Sequence, residues 1–320
     1  MKTGRHAGAL ALTVAAAFIG LFSVQVAAAG EPVGDAPEGA APEDPPRTAE
    51  GAAADAVASS ANRFGYELLK TLWEASPDVN TFISPTSVSV ALSMTMNGAA
   101  GKTLEGMKRA LCVVDRSTAE LNEGSRELLE SFGRAGDDVE LTVANSLWAR
   151  EGSRLRDGFV ETNERFYGAH LTELDFGDPD APAVINGWVA EATRDRIDSI
   201  VDAIDPLTVL YLINAVYFKG AWAEEFDPKR TREQTFTLAD GSEKACPMMT
   251  QTERFPYYEN SAVQAIELPY GEGRLSMLVV LPRGRGGLDD LVTTLCAKDW
   301  DLWTRGLEQK RGTITLPKFT

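Results

Sequence analysis

A side chain acts as a base, a nucleophile or a metal ligand only where partners of the right kind stand within reach, and this sequence supplies few. It holds two histidines, His6 and His170, and His6 falls in an N-terminal leader. Any Ser-His-Asp or Cys-His arrangement past that leader has His170 as its one candidate base, with no G-x-S-x-G elbow and no S-x-x-K run beside it. No H-E-x-x-H occurs, and one histidine with three scattered cysteines makes a poor zinc site, so neither a metal nor a cofactor is expected. His170 reads as a surface histidine at the end of a helix over 157–168. Gly101-Lys102-Thr103 resembles the end of a phosphate-binding loop, but the earlier glycine would have to stand where Met96 does and no strand precedes it. A helix-helix turn with Thr103 as N-cap explains the run better. The run 271–276 lacks the third glycine of a dinucleotide loop and reads as a hairpin turn between strands. No enzyme is expected.

Three polar residues in apolar surroundings remain. Asn214 interrupts the run Leu-Tyr-Leu-Ile-Asn-Ala-Val-Tyr-Phe, and a buried amide must find partners or cost about 1–3 kcal/mol. Ser84 and Ser87 open a helix with an apolar face; as a helix cap and a satisfied core amide, all three have ordinary structural readings. Cys112, Cys246 and Cys296 form no C-x-x-C pair. One disulfide with a free thiol and three buried thiols both fit them, and no disulfide framework is implied.

The elements that would carry these residues divide the chain in two. Val57, Ala61, Phe64, Leu68, Leu69 and Leu72 recur at helical spacing through 52–73, and Ser84-Pro85 starts a second helix cleanly. Shorter helices are expected at 103–111, 117–132, 157–168 and 181–203. The second half is mostly strand. Alternation marks 139–149, and the near-continuous apolar run 207–218 fits a strand covered on both faces. Further strands are expected at 234–239, 244–250, 254–259, 263–269, 275–281 and 312–319, punctuated by Asp240-Gly241 and Gly271. Helices first and strands later give an α+β class. Thr320 falls inside an expected strand, so the chain reads as a fragment.

Lys2 and Arg5, the mostly apolar stretch 7–26 and Ala27-Ala28-Ala29 read as a secretory signal cut near Ala29, preferred to a retained anchor for its small-residue exit. Residues 30–54, with five prolines and Val33 as the one large apolar residue, read as a disordered spacer before a single domain over 55–320. Removing Lys2 and Arg5 leaves 29 basic against 47 acidic side chains, a net charge of −18. That charge argues against nucleic acid or an anionic membrane as partner.

Taken together, several motifs in order resemble the serpins, the serine-protease-inhibitor family, and a secreted member of bacterial type. Asn80-Thr-Phe-Ile-Ser-Pro-Thr-Ser87 is similar to the family's N-x-x-x-S-P-x-S signature, and Gly98 to Thr103 to the turn after it. Ala144-Asn-Ser-Leu-Trp148 and Leu212 to Trp222, with Phe226, Pro228, Thr231 and Phe236, resemble its early and central sheet strands; Pro247-Met-Met249, Ala265 to Tyr270, Leu275 to Pro282 and Leu316-Pro-Lys-Phe319 resemble later ones. The resemblance implies three β-sheets with eight or nine helices. It also implies an exposed reactive loop that a serine or cysteine protease cleaves, and that then enters the main sheet as a new strand, trapping the enzyme. Ser84, Ser87 and Asn214 would form the polar shutter where the sheet parts, and Trp222 the breach where insertion begins. The hinge, the loop and the scissile bond would lie beyond Thr320. The resemblance further implies a secreted protein that is a monomer at full length, or alternatively a non-inhibitory member acting as a binding or structural protein. The segment Thr193-Arg-Asp-Arg-Ile197 departs from the glycine-lysine pair often found there.

Overall fold

The computed structural model describes residues 25–27 and 51–319, except 78, 135–137, 206, 239 and 285. The leader and spacer otherwise lie outside the described residues, with two exceptions. Gln25–Ala27 (β1) pairs antiparallel with a late strand, and the first helix opens at Ala52, inside the stretch read as spacer. That helix, α1 (Ala52–Ala75), opens where the expected 52–73 helix does; its first alanines favour helix and are small enough to sit against a neighbouring glycine. A Cβ on Gly124 would lie 2.6 Å from the Ala53 carbonyl oxygen and 2.7 Å from Val57.

Ser84 caps α2 (Pro85–Met96), accepting from the Ser87 amide, with Pro85 at the first helical position as expected. Next come α3 (Gly101–Ala110) and α4 (Thr118–Phe132). Thr103 lies inside α3 rather than capping it, since the helix begins two residues earlier at Gly101. Ser117 and Glu120 close a reciprocal capping box on α4. The strand β2 (Val139–Arg150) leads to α5 (Asp157–Tyr167) and to β3 (His170–Leu174), a short strand that sequence periodicity does not reveal.

The helix expected over 181–203 is shorter. It ends as α6 (Ala181–Ala192), and Arg194 and Asp195 both take positive φ, near 52° and 56°. Beyond them Ile197, Ile200 and Ile204 keep a helical period but pack as non-helical chain on Ile185, Val189, Tyr211 and Ile213. Asn186 of α6 pins that return, accepting from the amides of Ile200 and Val201 and donating to the Val201 carbonyl at 2.8 Å.

The second half contains β4 (Leu210–Gly220), β5 (Arg232–Thr237), β6 (Glu243–Glu259), β7 (Val263–Tyr270), β8 (Leu275–Pro282) and β9 (Glu308–Pro317). Two helices that the sequence reading did not foresee, α7 (Gly287–Thr294) and α8 (Ala297–Arg305), lie between β8 and β9. The α+β class holds, with eight α-helices among the described residues. The strands hydrogen-bond into two sheets where the resemblance implies three, because β6 runs unbroken for 17 residues through both strands expected of it. One sheet has the order β3-β2-β4; the other has β1-β9-β6-β7-β8, with β5 also on β6.

The three-stranded sheet is covered on both sides, as the apolar run of β4 requires. One face, with Leu147, Ala149, Leu210 and Leu212, packs on Val90, Ala91 and Met94 of α2. The other, with Trp148, Tyr211 and Ile213, packs under α6. β4 is the last strand of this sheet, and no described strand pairs with its outer edge. The close contact of α1 with α4 gives a test of the fold. Alanine is the better helix former by about 1 kcal/mol, yet overpacking costs about 1–3 kcal/mol, so Gly124→Ala should destabilise in chemical denaturation.

Candidate functional site

The structure brings Ser84, Ser87 and Asn214 to one cavity. It measures about 170 Å³ between α2 and the sheet, and its other walls include Val90, Phe132, Leu141, Val143 and Val216. Ser84 and Ser87 reach it because they stand at the cap and third position of α2, on the side facing β4; their hydroxyls lie 2.7 Å apart. Asn214 reaches it because strand alternation puts 210, 212, 214 and 216 on the face toward α2.

Asn214 is fully buried. Its Nδ2 donates to Oδ1 of Asn145, the residue directly opposite on β2, at 2.6 Å. Asn145 Nδ2 in turn donates to the main-chain carbonyl of Tyr167 at 2.8 Å. The Asn214 oxygen has no hydrogen-bond partner among the described residues. The two serines and the asparagine therefore do not form the single hydrogen-bonded cluster the resemblance implies. They are two groups facing each other across a gap, one of them with an unused acceptor. A buried acceptor without a donor costs about 1–3 kcal/mol.

Trp222 lies elsewhere, just past the end of β4. Its ring stacks on Tyr270 with centroids 4.3 Å apart and meets the edges of Phe226 and Phe319. It also forms an isolated bridge with Tyr270, and the Ala223 amide donates to the Pro269 carbonyl at 2.9 Å. Gly220 permits this approach, since a Cβ there would lie 2.9 Å from Phe218 and 3.0 Å from Tyr270. Trp222 thus fastens the end of the three-stranded sheet to β7 of the other. It also lines a separate cavity of about 150 Å³ with Phe226, Gln251 and Leu268.

His170 opens β3 instead of closing a helix. It is exposed, stacks on Trp188 of α6 at 6.1 Å, and shares a 2.9 Å hydrogen bond with Thr172. Cys112, Cys246 and Cys296 are free and half-buried, not fully buried, and no group of three or more His, Cys, Asp or Glu that could hold a metal occurs among the described residues. Asn145 and Tyr167 are the site residues that sequence reasoning missed. Asn145 lay inside a motif already quoted, and its register opposite Asn214 was the available signal.

The split of the site into two groups predicts how its variants combine. Asn214→Ala and Asn145→Ala should each destabilise by about 1–3 kcal/mol and couple strongly, because they remove one shared bond. Ser84→Ala with Asn214→Ala should couple more weakly than that pair, because the two side chains share a cavity but no hydrogen bond. Denaturant unfolding of the singles and doubles measures both.

Residues 59–320 match the family model for the serpins, described as serine protease inhibitors. A serpin-like protein of Thermococcus kodakarensis is 41% identical over 215 residues, covering 66% of this chain and 50% of that protein. Serpin A3-6 of Bos taurus is 32% identical over 270 residues, covering 82% of this chain and 65% of that one. The chain thus spans half to two thirds of the length of these curated relatives. The reactive-loop-cleaved structure of human thyroxine-binding globulin superposes with a TM-score of 0.79 at 25% identity, covering 84% of this chain and 80% of that one.

Proposed function

Since the chain belongs to the serpin family, we propose that in its whole form it is a secreted inhibitor of a serine protease that works by admitting its own cleaved loop as a new strand beside β4. The observation that carries this reading is the conjunction of an outer edge of β4 that no described strand pairs with and a buried amide oxygen at its middle that has no donor among the described residues. A strand laid along β4 would satisfy the edge's backbone groups, and a donor on it would satisfy Asn214 Oδ1. Ser84 and Ser87 make the gap small and polar on the helix side, so the surfaces can part without breaking an interlocked apolar core. Trp222 marks the end at which insertion would start, because there the sheet is joined to β7 by ring stacking and a single bridge.

Secretion and a monomeric whole form are part of the same proposal. The supporting features are the apolar leader with its small-residue exit and the net charge of −16 for the full sequence. No helix among the described residues is long and apolar enough to cross a membrane. The second reading is a non-inhibitory member that binds a ligand or partner. It is favoured by the likeness to a globulin named for binding thyroxine.

A protease assay separates the two. The longer product and the 320-residue chain are each incubated with trypsin-like and chymotrypsin-like enzymes and run on denaturing gels. The inhibitory reading expects an SDS-resistant complex from the longer product and none from the 320-residue chain. Cleavage of the longer product as a mere substrate would give the lead to the binding reading.

A further inference from the structure

The larger sheet turns one side of β6 and β9 to the core, and the other side carries a charge pattern that folding does not require. Gln251, Phe255 and Tyr257 of β6 are buried, with Ile314 and Leu316 of β9 beside them. The residues between them face outward in cross-strand pairs: Thr250 with Thr315, Thr252 with Thr313, and Arg254 with Arg311. The threonine hydroxyls meet across the strands, at 3.3 Å in the first pair and 2.9 Å in the second. Arg230, from the short turn Pro228–Arg230 before β5, reaches this face and donates to Thr252 Oγ1 at 3.3 Å. Three arginines thus stand around one pair of threonines.

Residues directly opposite on antiparallel strands hold their Cβ atoms about 4.5–5.5 Å apart, where like charges destabilise. Arg254 and Arg311 are both exposed, and neither makes an ion pair or a side-chain hydrogen bond among the described residues. Glu224 and Glu253 line the cavity beside Arg254, yet no ion pair joins either to it among the described residues. Other arginines do find carboxylates: Arg126 pairs with Glu123 and Glu130, Arg194 with Glu140, and Arg283 with Glu259. With 47 acidic side chains against 31 basic ones, such partners are abundant in this chain. Two arginines set face to face without one are a local cost, and such costs collect where a protein binds something.

We infer that Arg254, Arg311 and Arg230 form a binding site for a small tetrahedral oxyanion, of the phosphate or sulfate type, on the solvent face of β6 and β9. A guanidinium is a planar fork whose N–H groups match two oxygens of such an ion at once. Two forks on opposite strands grip one ion from either side, and its charge offsets their repulsion. Thr252 and Thr313 stand at the next register, where a hydroxyl can turn its proton from its neighbour to the ion. The occupant is a small ion rather than a charged polymer, because a net charge of −16 repels a long polyanion from the molecule as a whole. The site uses none of Ser84, Ser87, Asn214 and Trp222, and it does not depend on strand insertion.

The test is thermal unfolding of the 320-residue protein in rising inorganic phosphate, with chloride holding ionic strength constant. A ligand that binds only the folded state raises the midpoint as its concentration rises. Arg254→Gln and Arg311→Gln should each weaken the phosphate response about tenfold or more, since each removes hydrogen bonds to a charged group. Without phosphate both variants should unfold at the temperature of the unchanged protein or higher, because the facing like charges are gone. Arg274→Gln, which removes an exposed charge from the turn between β7 and β8, should leave the response intact. Phosphate also stabilises folded proteins by exclusion from their surfaces, and that general effect persists in every variant. An equal response in all four proteins, or a lower midpoint of the two site variants without phosphate, would overturn the inference. So would a response to long-chain polyphosphate with none to phosphate itself.

Discussion

A strand covered on both faces cannot hold an amide cheaply, and the arrangement of this protein around β4 follows from that constraint. Asn214 sits amid apolar neighbours at zero exposure, with one end of its side chain bonded to Asn145 and the other bonded to nothing among the described residues. In a closed core of this kind a leucine-sized apolar residue would be more stable than a half-satisfied amide. The amide makes sense where the surface beside it is meant to be occupied at one time and vacant at another. An interlocked apolar seam gains from staying shut, whereas a polar gap exchanges one set of hydrogen bonds for another at little net cost.

The surrounding elements divide the labour accordingly. α6 seals the far face of the sheet with Ile185, Val189 and the pinned return segment, so that side is dry and fixed. α2 approaches the near face closely where Val90, Ala91 and Met94 pack, and stands off at its N-terminal turn, where Ser84 and Ser87 line the cavity. The serine pair at the helix and the Trp222–Tyr270 stack at the strand's end mark the two ends of the stretch of β4 beside the cavity.

Much of this was legible in sequence, for local reasons. Ser84-Pro85 is a helix start that needs no tertiary information, and an unbroken apolar run announces β4. Asn214 stood out because it broke that run. What stayed hidden was non-local. Asn97, Asn122 and Asn163 each look like ordinary polar residues of a helix or its cap, and only packing three helices together makes them a chain. The isoleucines 197, 200 and 204 kept a helical period while serving as non-helical chain, because Asn186 supplies backbone hydrogen bonds that a helix would otherwise make. β3 is five residues long and borrows its register from β2.

The claim at the centre of this account is that β4 gains a neighbour. In an antiparallel pair every second amide of a strand faces its partner and the others face away, so alternate amides of Leu210–Gly220 point to the unpaired edge. Residue-resolved hydrogen exchange on the 320-residue chain, and on the longer product after cleavage by a protease, reads those amides directly. The account predicts that the edge-facing set exchanges rapidly in the 320-residue chain and is strongly protected in the cleaved product, while the set facing β2 hardly changes. Edge-facing amides that remain equally exposed after cleavage would contradict it.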